Sequence, residues 1–365
     1  MPKIGLISPI AKEYPFLGRD LKEGLSIALK NNAQTSIIYL ECGRGIPKEV
    51  VPAFRKAIID EEVDLIVAFV DNSSLQEVME LIEQSQTPVI ATGMGARLPL
   101  ISNEPESYLF YNTFRLWESC WLSGHIASKM IGTKIGSISS FFNSGFPLVY
   151  AHTKGAESAG GTPVFFNITH KGTLDEELAA TRKNIEEVKA DYYFLSYYGK
   201  ERTTMLDWTT KAGIDKKRIV ATPGILTKNE SVFTVSSWHK DLDTTENKVF
   251  IDIFKQHSKH DVNEFSMLGY ENGLLIKHCC NEKKFNADEF TSKLKDVGFA
   301  GPRGEIHVQK ENQATYSNHY IRNINNDDGS ATFSVIEYPL AAIENETRTN
   351  QEANRIGWQN TYLCK

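Results

Sequence analysis

The chain has 365 residues, of which 41% are hydrophobic and 24% charged, and a formal net charge of −6. That length supports more than one core of ordinary domain size, and no lysine/arginine block supplies the concentrated basic face that nucleic acid or an anionic membrane requires. No run of about 20 apolar residues is present to cross a bilayer as a helix.

The chain opens Met1-Pro2-Lys3-Ile4-Gly5-Leu6-Ile7-Ser8. This goes straight into an apolar strand, without the basic region, apolar stretch and small-residue cleavage site of a secretory leader. After the Lys3–Ser8 strand, Leu17, Leu21, Leu25 and Ala28 recur at helical spacing. Residues 35–41 are β-branched and aromatic, hence strand-like, and Val51, Phe54, Ala57 and Ile58 share one helical face. Leu65–Val70 reads as strand, Leu75, Val78, Met79 and Ile82 as a helical face, and Val89–Thr92 and Leu109–Asn112 as strands. Such alternation implies βαβ units around a mostly parallel sheet.

The pattern restarts at Lys134–Ser139. A helix over 146–159 stops at Gly160-Gly161. Then follow strand 163–167, helix 176–189, strand 192–196, helix 203–212 ending at Gly213, and strand 218–221. Two such runs predict two doubly wound lobes. From Trp238 the chain reads as helices, then a Gly-Pro turn over 298–304 and strands at 305–308, 316–323 and 332–337. Asn325-Asn326-Asp327-Asp328-Gly329 has the composition of a hairpin turn but lacks EF-hand ligand spacing.

Signatures of catalysis are missing. No GxxxxGK[ST], HExxH or GxSxG occurs, and Gly93-Met94-Gly95 begins like a dinucleotide fingerprint but reaches Leu98 where the third glycine belongs. Five cysteines form no CxxC pair, and Cys279-Cys280 follow an apolar helical stretch, which predicts buried thiols. The expectation is a non-catalytic protein with no metal and no cofactor.

What remains is the character of the loops after the strands, where ligands bind in open α/β sheets. They hold Tyr14 and Phe16 after the first strand, Asn72 and Ser73 after the third, and Thr92, Gly93 and Gly95 at the fourth. In the second run come Ser144 and Phe146, then Tyr197 and Tyr198, then Thr222-Pro223-Gly224. Hydroxyls, amides, exposed backbone and aromatic faces suit a small, partly polar solute. Taken singly, Ser73 and Ser144 are also natural helix N-caps.

Several segments resemble the leucine/isoleucine/valine-binding family of type I periplasmic solute-binding proteins. KIGLISPI followed by PFLGRDLKEGLSIAL is similar to that family's first strand and helix. VDLIVAFVDNSSLQEVMELIEQSQTPVIATGMG resembles its strand, serine loop, helix and strand, and NSGFPLVYAHTKGAESAGG the first helix of its second lobe. DYYFLSYYGKERTTMLDWTTKAGI and GFAGPRGEIHV followed by HYIRNI continue the likeness, which spans residues 3–325. The resemblance implies two lobes, residues 1–117 plus 240–324 and 118–239 plus 325–365, joined by crossovers near 115–119, 236–241 and 323–328. Trp117 and Trp238 lie at two of these, where each could stack on ligand or pack the hinge.

In amino-acid-binding members a serine and a threonine of the first lobe hold the ligand's carboxylate; the matching positions here are Asn72, with Ser73 adjacent, and Gly95, while Gly93 supplies backbone. The acidic residue that holds the ammonium is replaced by Thr222-Pro223-Gly224, and the covering aromatic matches Tyr197 or Tyr198, with Phe146 as second candidate. A buried ammonium without a partner costs several kcal/mol, so a less charged or aromatic solute fits better than a standard α-amino acid, and the expected class is an amino-acid-like, amide or aromatic compound. The resemblance therefore implies the solute-binding subunit of an ABC importer. It would be periplasmic or lipid-tethered with its leader removed, would meet a membrane permease, and would be a monomer or weak dimer. The alternatives are a cytoplasmic ligand sensor of the amide-sensor type on the same fold and, behind it, a two-lobed enzyme.

Overall fold

The computed structural model describes residues 2–30, 35–97, 99, 108–140, 145–169, 174–223, 232–280, 285–310, 312–324 and 331–336. In chain order, the first stretch is β1 (Lys3–Ser8), α1 (Leu17–Leu29), β2 (Ser36–Glu41), α2 (Pro47–Arg55), β3 (Leu65–Phe69), α3 (Asn72–Ser85), β4 (Val89–Gly93) and β5 (Leu109–Thr113). A second stretch follows with α4 (Leu116–Met130), β6 (Lys134–Ser140), α5 (Gly145–Glu157), β7 (Thr162–Thr169), α6 (Leu174–Glu187), β8 (Tyr192–Ser196), α7 (Gly199–Lys211), β9 (Ile219–Ala221) and β10 (Thr234–Ser236). The last comprises α8 (Thr245–His257), α9 (Glu264–Cys279), α10 (Ala287–Lys295), β11 (Gly298–Gly301), β12 (Gly304–Gln309), β13 (Ala314–Tyr316), β14 (His319–Ile324) and β15 (Ala331–Ile336).

These elements form two units. One comprises Met1–Gly95, Pro99–Phe114 and Trp238–Asn318; the other comprises Ala96–Leu98, Arg115–Ser237 and His319–Lys365. The chain passes between them at Gly95/Ala96, Leu98/Pro99, Phe114/Arg115, Ser237/Trp238 and Asn318/His319.

The first unit is built on an eight-stranded sheet of order β11-β12-β13-β5-β4-β3-β1-β2. Its strands β5, β4, β3, β1 and β2 are parallel, so their carboxyl ends share one edge. One face packs on α2 and α3 through Ile7, Ile66, Ala68, Phe54, Leu75 and Val78. On the other face α1 crosses α9 with backbone nearly touching: a Cβ at Gly24 would sit 2.0 Å from the Ser266 carbonyl oxygen. Only glycine permits that approach.

The second unit carries a parallel sheet of order β7-β6-β8-β9 and a separate antiparallel sheet β10-β14-β15. Ile138, Leu195, Met205 and Ile219 lie in its core. The other face of the sheet is covered by α4 and α5, where a Cβ at Gly155 would lie 1.8 Å from the Trp121 carbonyl oxygen. Both units are therefore α/β with parallel-sheet cores, as the alternating pattern implies.

The structure departs from the pattern in several places, the short strand β10 among them. The helix α4 has no counterpart among the expected elements, because twelve of its fifteen residues are buried and no polar stripe marks its period. Residues 298–304 form the hairpin β11–β12 with Gly301 paired to Gly304, so the Gly-Pro turn is confined to Pro302-Arg303. The expected strand over 316–323 is split at Ser317-Asn318: β13 joins the first unit's sheet and β14 the second unit's. Alternation along a strand records burial, and it cannot record a change of sheet. The turn at 325–329 lies outside the described residues, although β14 and β15 on either side of it pair antiparallel.

Candidate functional site

In the first unit the shared edge is formed by the exits of β1, β3, β4 and β5. The β1 exit carries Tyr14 and Phe16. Both rings lie against Phe265 at the start of α9, at centroid separations of 5.5 and 6.2 Å, and Phe69 joins them at 5.7 Å. Tyr14 is thus packed into an aromatic cluster, while the half-buried Phe16 lies under the Arg19 guanidinium at 5.9 Å. Phe265, which completes the cluster, sits on a helix distant in sequence, and no local signal pointed to it.

The β3 exit leads into α3, whose N-cap is Asp71 rather than Ser73. Both the amide and the hydroxyl of Ser73 donate to Asp71 Oδ1, at 2.9 and 3.1 Å. Asn72 is the first residue of the helix and half-buried. Thr92 is buried, and its hydroxyl donates to the Asn112 carbonyl at 2.8 Å. Gly93 ends β4, and a Cβ there would make only an ordinary contact with the Val70 carbonyl oxygen, at 3.9 Å. Gly95 has φ +66°, a left-handed conformation that glycine adopts without cost.

The floor beneath β4 and β5 is polar. Arg303, at the tip of the β11–β12 hairpin, is fully buried and grips Glu271 of α9 with Nε–Oε1 at 3.0 Å and Nη2–Oε2 at 2.5 Å. Its remaining donors reach the Thr113 carbonyl at 2.7 Å and Asn112 Oδ1 at 2.9 Å. Burial raises the Glu271 pKa, and the Arg303 charge and hydrogen bonds oppose it. Thr315 also donates to Asn112 Oδ1, and Asn112 donates to Asn272 Oδ1, each at 2.8 Å.

In the second unit the exits are those of β7, β8 and β9. The Tyr197 hydroxyl is 2.9 Å from Thr169 Oγ1, and Thr222 Oγ1 donates to the Tyr197 carbonyl at 3.1 Å. Burial raises the Tyr197 pKa, opposed by the Thr169 hydrogen bond, so the phenol is neutral at physiological pH. Arg202, buried in the first turns of α7, donates through Nη1 to the Thr222 carbonyl. Tyr198 is buried at the N-cap position of α7, where no side-chain cap is made. Trp117 is buried in the first turn of α4. Trp238, in the first unit, donates its indole N–H to Asn247 Oδ1 at 2.8 Å and packs edge-on to Phe250. Ser144 lies outside the described residues; Phe146 belongs to α5, and its side chain lies outside them.

Among the described residues no group of three or more His, Cys, Asp or Glu side chains could hold a metal ion. Cys42, Cys120, Cys279 and Cys280 are free thiols; burial pushes Cys42 and Cys279 up to about 12, which leaves them un-ionised and poor nucleophiles. No described helix is long and apolar enough to cross a membrane.

A family model described as periplasmic binding protein matches residues 2–330. The chain belongs to that family. Comparison with curated proteins yields no sequence match. Among solved structures, the chain is similar to an ABC transporter substrate-binding protein from Sphaerobacter thermophilus, with TM-score 0.75 and 18% identity over 92% of this chain and 96% of that one. A solute-binding protein of an ABC transporter from Rhodopseudomonas palustris, in complex with 3,4-dihydroxybenzoic acid, gives TM-score 0.71 and 19% identity over 92% and 96%. The branched-chain amino acid transporter substrate-binding protein LivJ from Streptococcus pneumoniae, in complex with isoleucine, gives 0.72 and 16% over 92% and 99%. At these identities the likeness is one of fold, and the periplasmic binding protein family is the level at which this chain is placed.

Proposed function

We propose that this periplasmic binding protein captures a small solute, without catalysis, for an ABC-type importer, and that it works outside the cytoplasmic membrane opposite a permease. The observation that carries the reading is the make-up of the strand exits. Gly93 and Gly95 with Asn72 and Ser73 in one unit, and Tyr197, Tyr198 and Thr222 in the other, offer backbone, hydroxyl, amide and aromatic surface. The hydroxyl–carboxylate contact at these exits, Ser73 on Asp71, belongs to the N-cap of α3. Binding of that kind needs shape and hydrogen bonds, with no group set to transfer a proton.

We further propose a neutral or anionic solute with an aromatic or amide group. The β9 exit is flanked by the Arg202 cation, and Thr222-Pro223 has no carboxylate to receive an ammonium. Several solved relatives are described in complex with benzoate or hydroxybenzoates, while others are described as leucine-binding or hold isoleucine. The test is a thermal-shift and native mass spectrometry screen over benzoate, 4-hydroxybenzoate, 3,4-dihydroxybenzoate, acetamide, leucine and isoleucine. A ligand at a hundred times its Kd stabilises the folded form by about 2.7 kcal/mol. Stabilisation by an aromatic acid or amide is expected. Stabilisation by leucine or isoleucine alone would overturn the ligand class, and turnover of any bound compound would overturn the non-catalytic reading.

A further inference from the structure

Among the described residues the most deeply buried arginine of the first unit is Arg303 and that of the second Arg202, and each guanidinium donates to a main-chain carbonyl at a strand exit. Arg303 holds Thr113, the last residue of β5, and Arg202 holds Thr222, the residue after β9. Carbonyls at strand exits have run out of ladder partners, so each needs another donor or water. A guanidinium is a costly way to supply one. Removing such a charge from water costs several kcal/mol, and apolar residues of equal volume usually hold a fold at least as well as a buried ion pair. What the guanidinium adds is geometry: a planar fork of five donors can fix several acceptors at once.

Arg303 uses that capacity. It ties α9 through Glu271 to the Asn112 side chain and the Thr113 carbonyl, and Thr113 lies opposite Gly93 in the parallel register. Thr92 in turn donates to the Asn112 carbonyl. The backbone of both β4 and β5 is thereby fixed at the edge assigned to the solute. On the second unit Arg202 fixes Thr222, whose hydroxyl reaches Tyr197, whose phenol meets Thr169, so β7, β8 and β9 are linked at their exits.

We propose that Arg303, with Arg202 in the corresponding role, is a positioning residue for solute binding: it sets the strand-exit backbone that the solute reads, without touching the solute. This rests on the solute-binding reading above.

The test uses the full chain and four variants, Arg303→Lys, Arg303→Met, Glu271→Leu and the double Arg303→Met/Glu271→Leu. Melting temperature, amide exchange across residues 89–97 and 108–115, and Kd for 4-hydroxybenzoate and isoleucine are measured on each. Either single apolar change leaves one buried charge alone and should lower the melting temperature strongly, while the double change should recover most of it. Exchange at the β4 and β5 exits should stay about tenfold faster in the double variant, and the Kd of whichever probe binds about tenfold weaker, the effect of one lost charge-assisted hydrogen bond. Recovery of stability, exchange and affinity together would show a merely structural pair and overturn the proposal.

Should the double variant not fold, Arg303→Lys decides. Lysine keeps the charge on Glu271 but cannot span Thr113 and Asn112 as well, so fast exchange confined to the two exits supports the proposal and wild-type exchange overturns it. If neither probe binds the wild-type chain, that counts against the ligand class alone, because the exchange measurement needs no ligand.

Discussion

Gly93 and His152 show how differently single residues can be exposed to test. At Gly93 the backbone is not left-handed and a Cβ would make only an ordinary contact, so the absence of a Cβ is not demanded by packing. Gly93→Ala should therefore leave the melting temperature within a few degrees of wild type, since the change falls in none of the strongly destabilising classes. It should weaken solute binding at least tenfold by occupying the edge. Titration calorimetry with the solute found in the screen checks this, and unchanged affinity would remove Gly93 from the site. His152 is the opposite case. It is stacked on Phe194 at 3.8 Å between ring centroids, with Ser123 Oγ 2.9 Å from Nδ1 and the Tyr192 hydroxyl 3.2 Å from Nε2. Burial lowers its pKa to about 3. The unfolded chain, with a histidine pKa near 6.5, then binds more protons than the folded one between about pH 6.5 and 3. The neutral imidazole's contribution to stability is complete above about pH 6.5 and is lost as pH falls toward 3, at up to about 1.4 kcal/mol per pH unit. An NMR titration should find His152 still neutral at pH 5; protonation near pH 6 would contradict the buried site.

At the scale of elements, the two glycine-mediated helix crossings are the most exacting features. The Cβ of Gly155→Ala would fall 1.8 Å from the Trp121 carbonyl oxygen, a main-chain atom that moves only if α4 moves with it. Overpacking of this kind costs about 1–3 kcal/mol or more. Gly155→Ala should therefore lower the urea midpoint and raise exchange in α4 and α5, whereas Gly160→Ala, with open space around it but φ +82°, should cost only about 1–2 kcal/mol of backbone strain. A Gly155→Ala variant as stable as wild type would show that the helices are free to separate. Most strands of both units were legible at this scale, because a buried parallel strand is a short apolar run and the turns between carry Gly, Pro or Asn. The helix α4 was not, since its buried surface runs all the way round, and β13 was fused with β14 because both alternate alike.

At the scale of the molecule, the two parallel-sheet units have core clusters that share no residue. Ile66→Ala in the first and Leu195→Ala in the second should each cost about 2–5 kcal/mol by leaving a cavity. The double variant should be additive within about 0.5 kcal/mol, as expected for sites without common partners. Denaturation of the three variants measures this, and a coupling above about 1 kcal/mol would mean that strain passes from core to core.

The sequence by itself determined the α/β class, most of the alternation of strands and helices and the glycine- and hydroxyl-rich exits, because hydrophobic period and turn chemistry are local properties of the chain. Tertiary structure alone decided what those exits touch. Tyr14 became part of an aromatic cluster once Phe265 arrived from a helix some 250 residues away, and Ser73 gave its hydroxyl to Asp71. Arg303 and Glu271, which looked like a turn residue and a helix residue, became a buried pair bonded to Thr113, the register partner of Gly93. Burial and pairing are relations between distant segments, and a charge is read as solvent-facing until the fold encloses it.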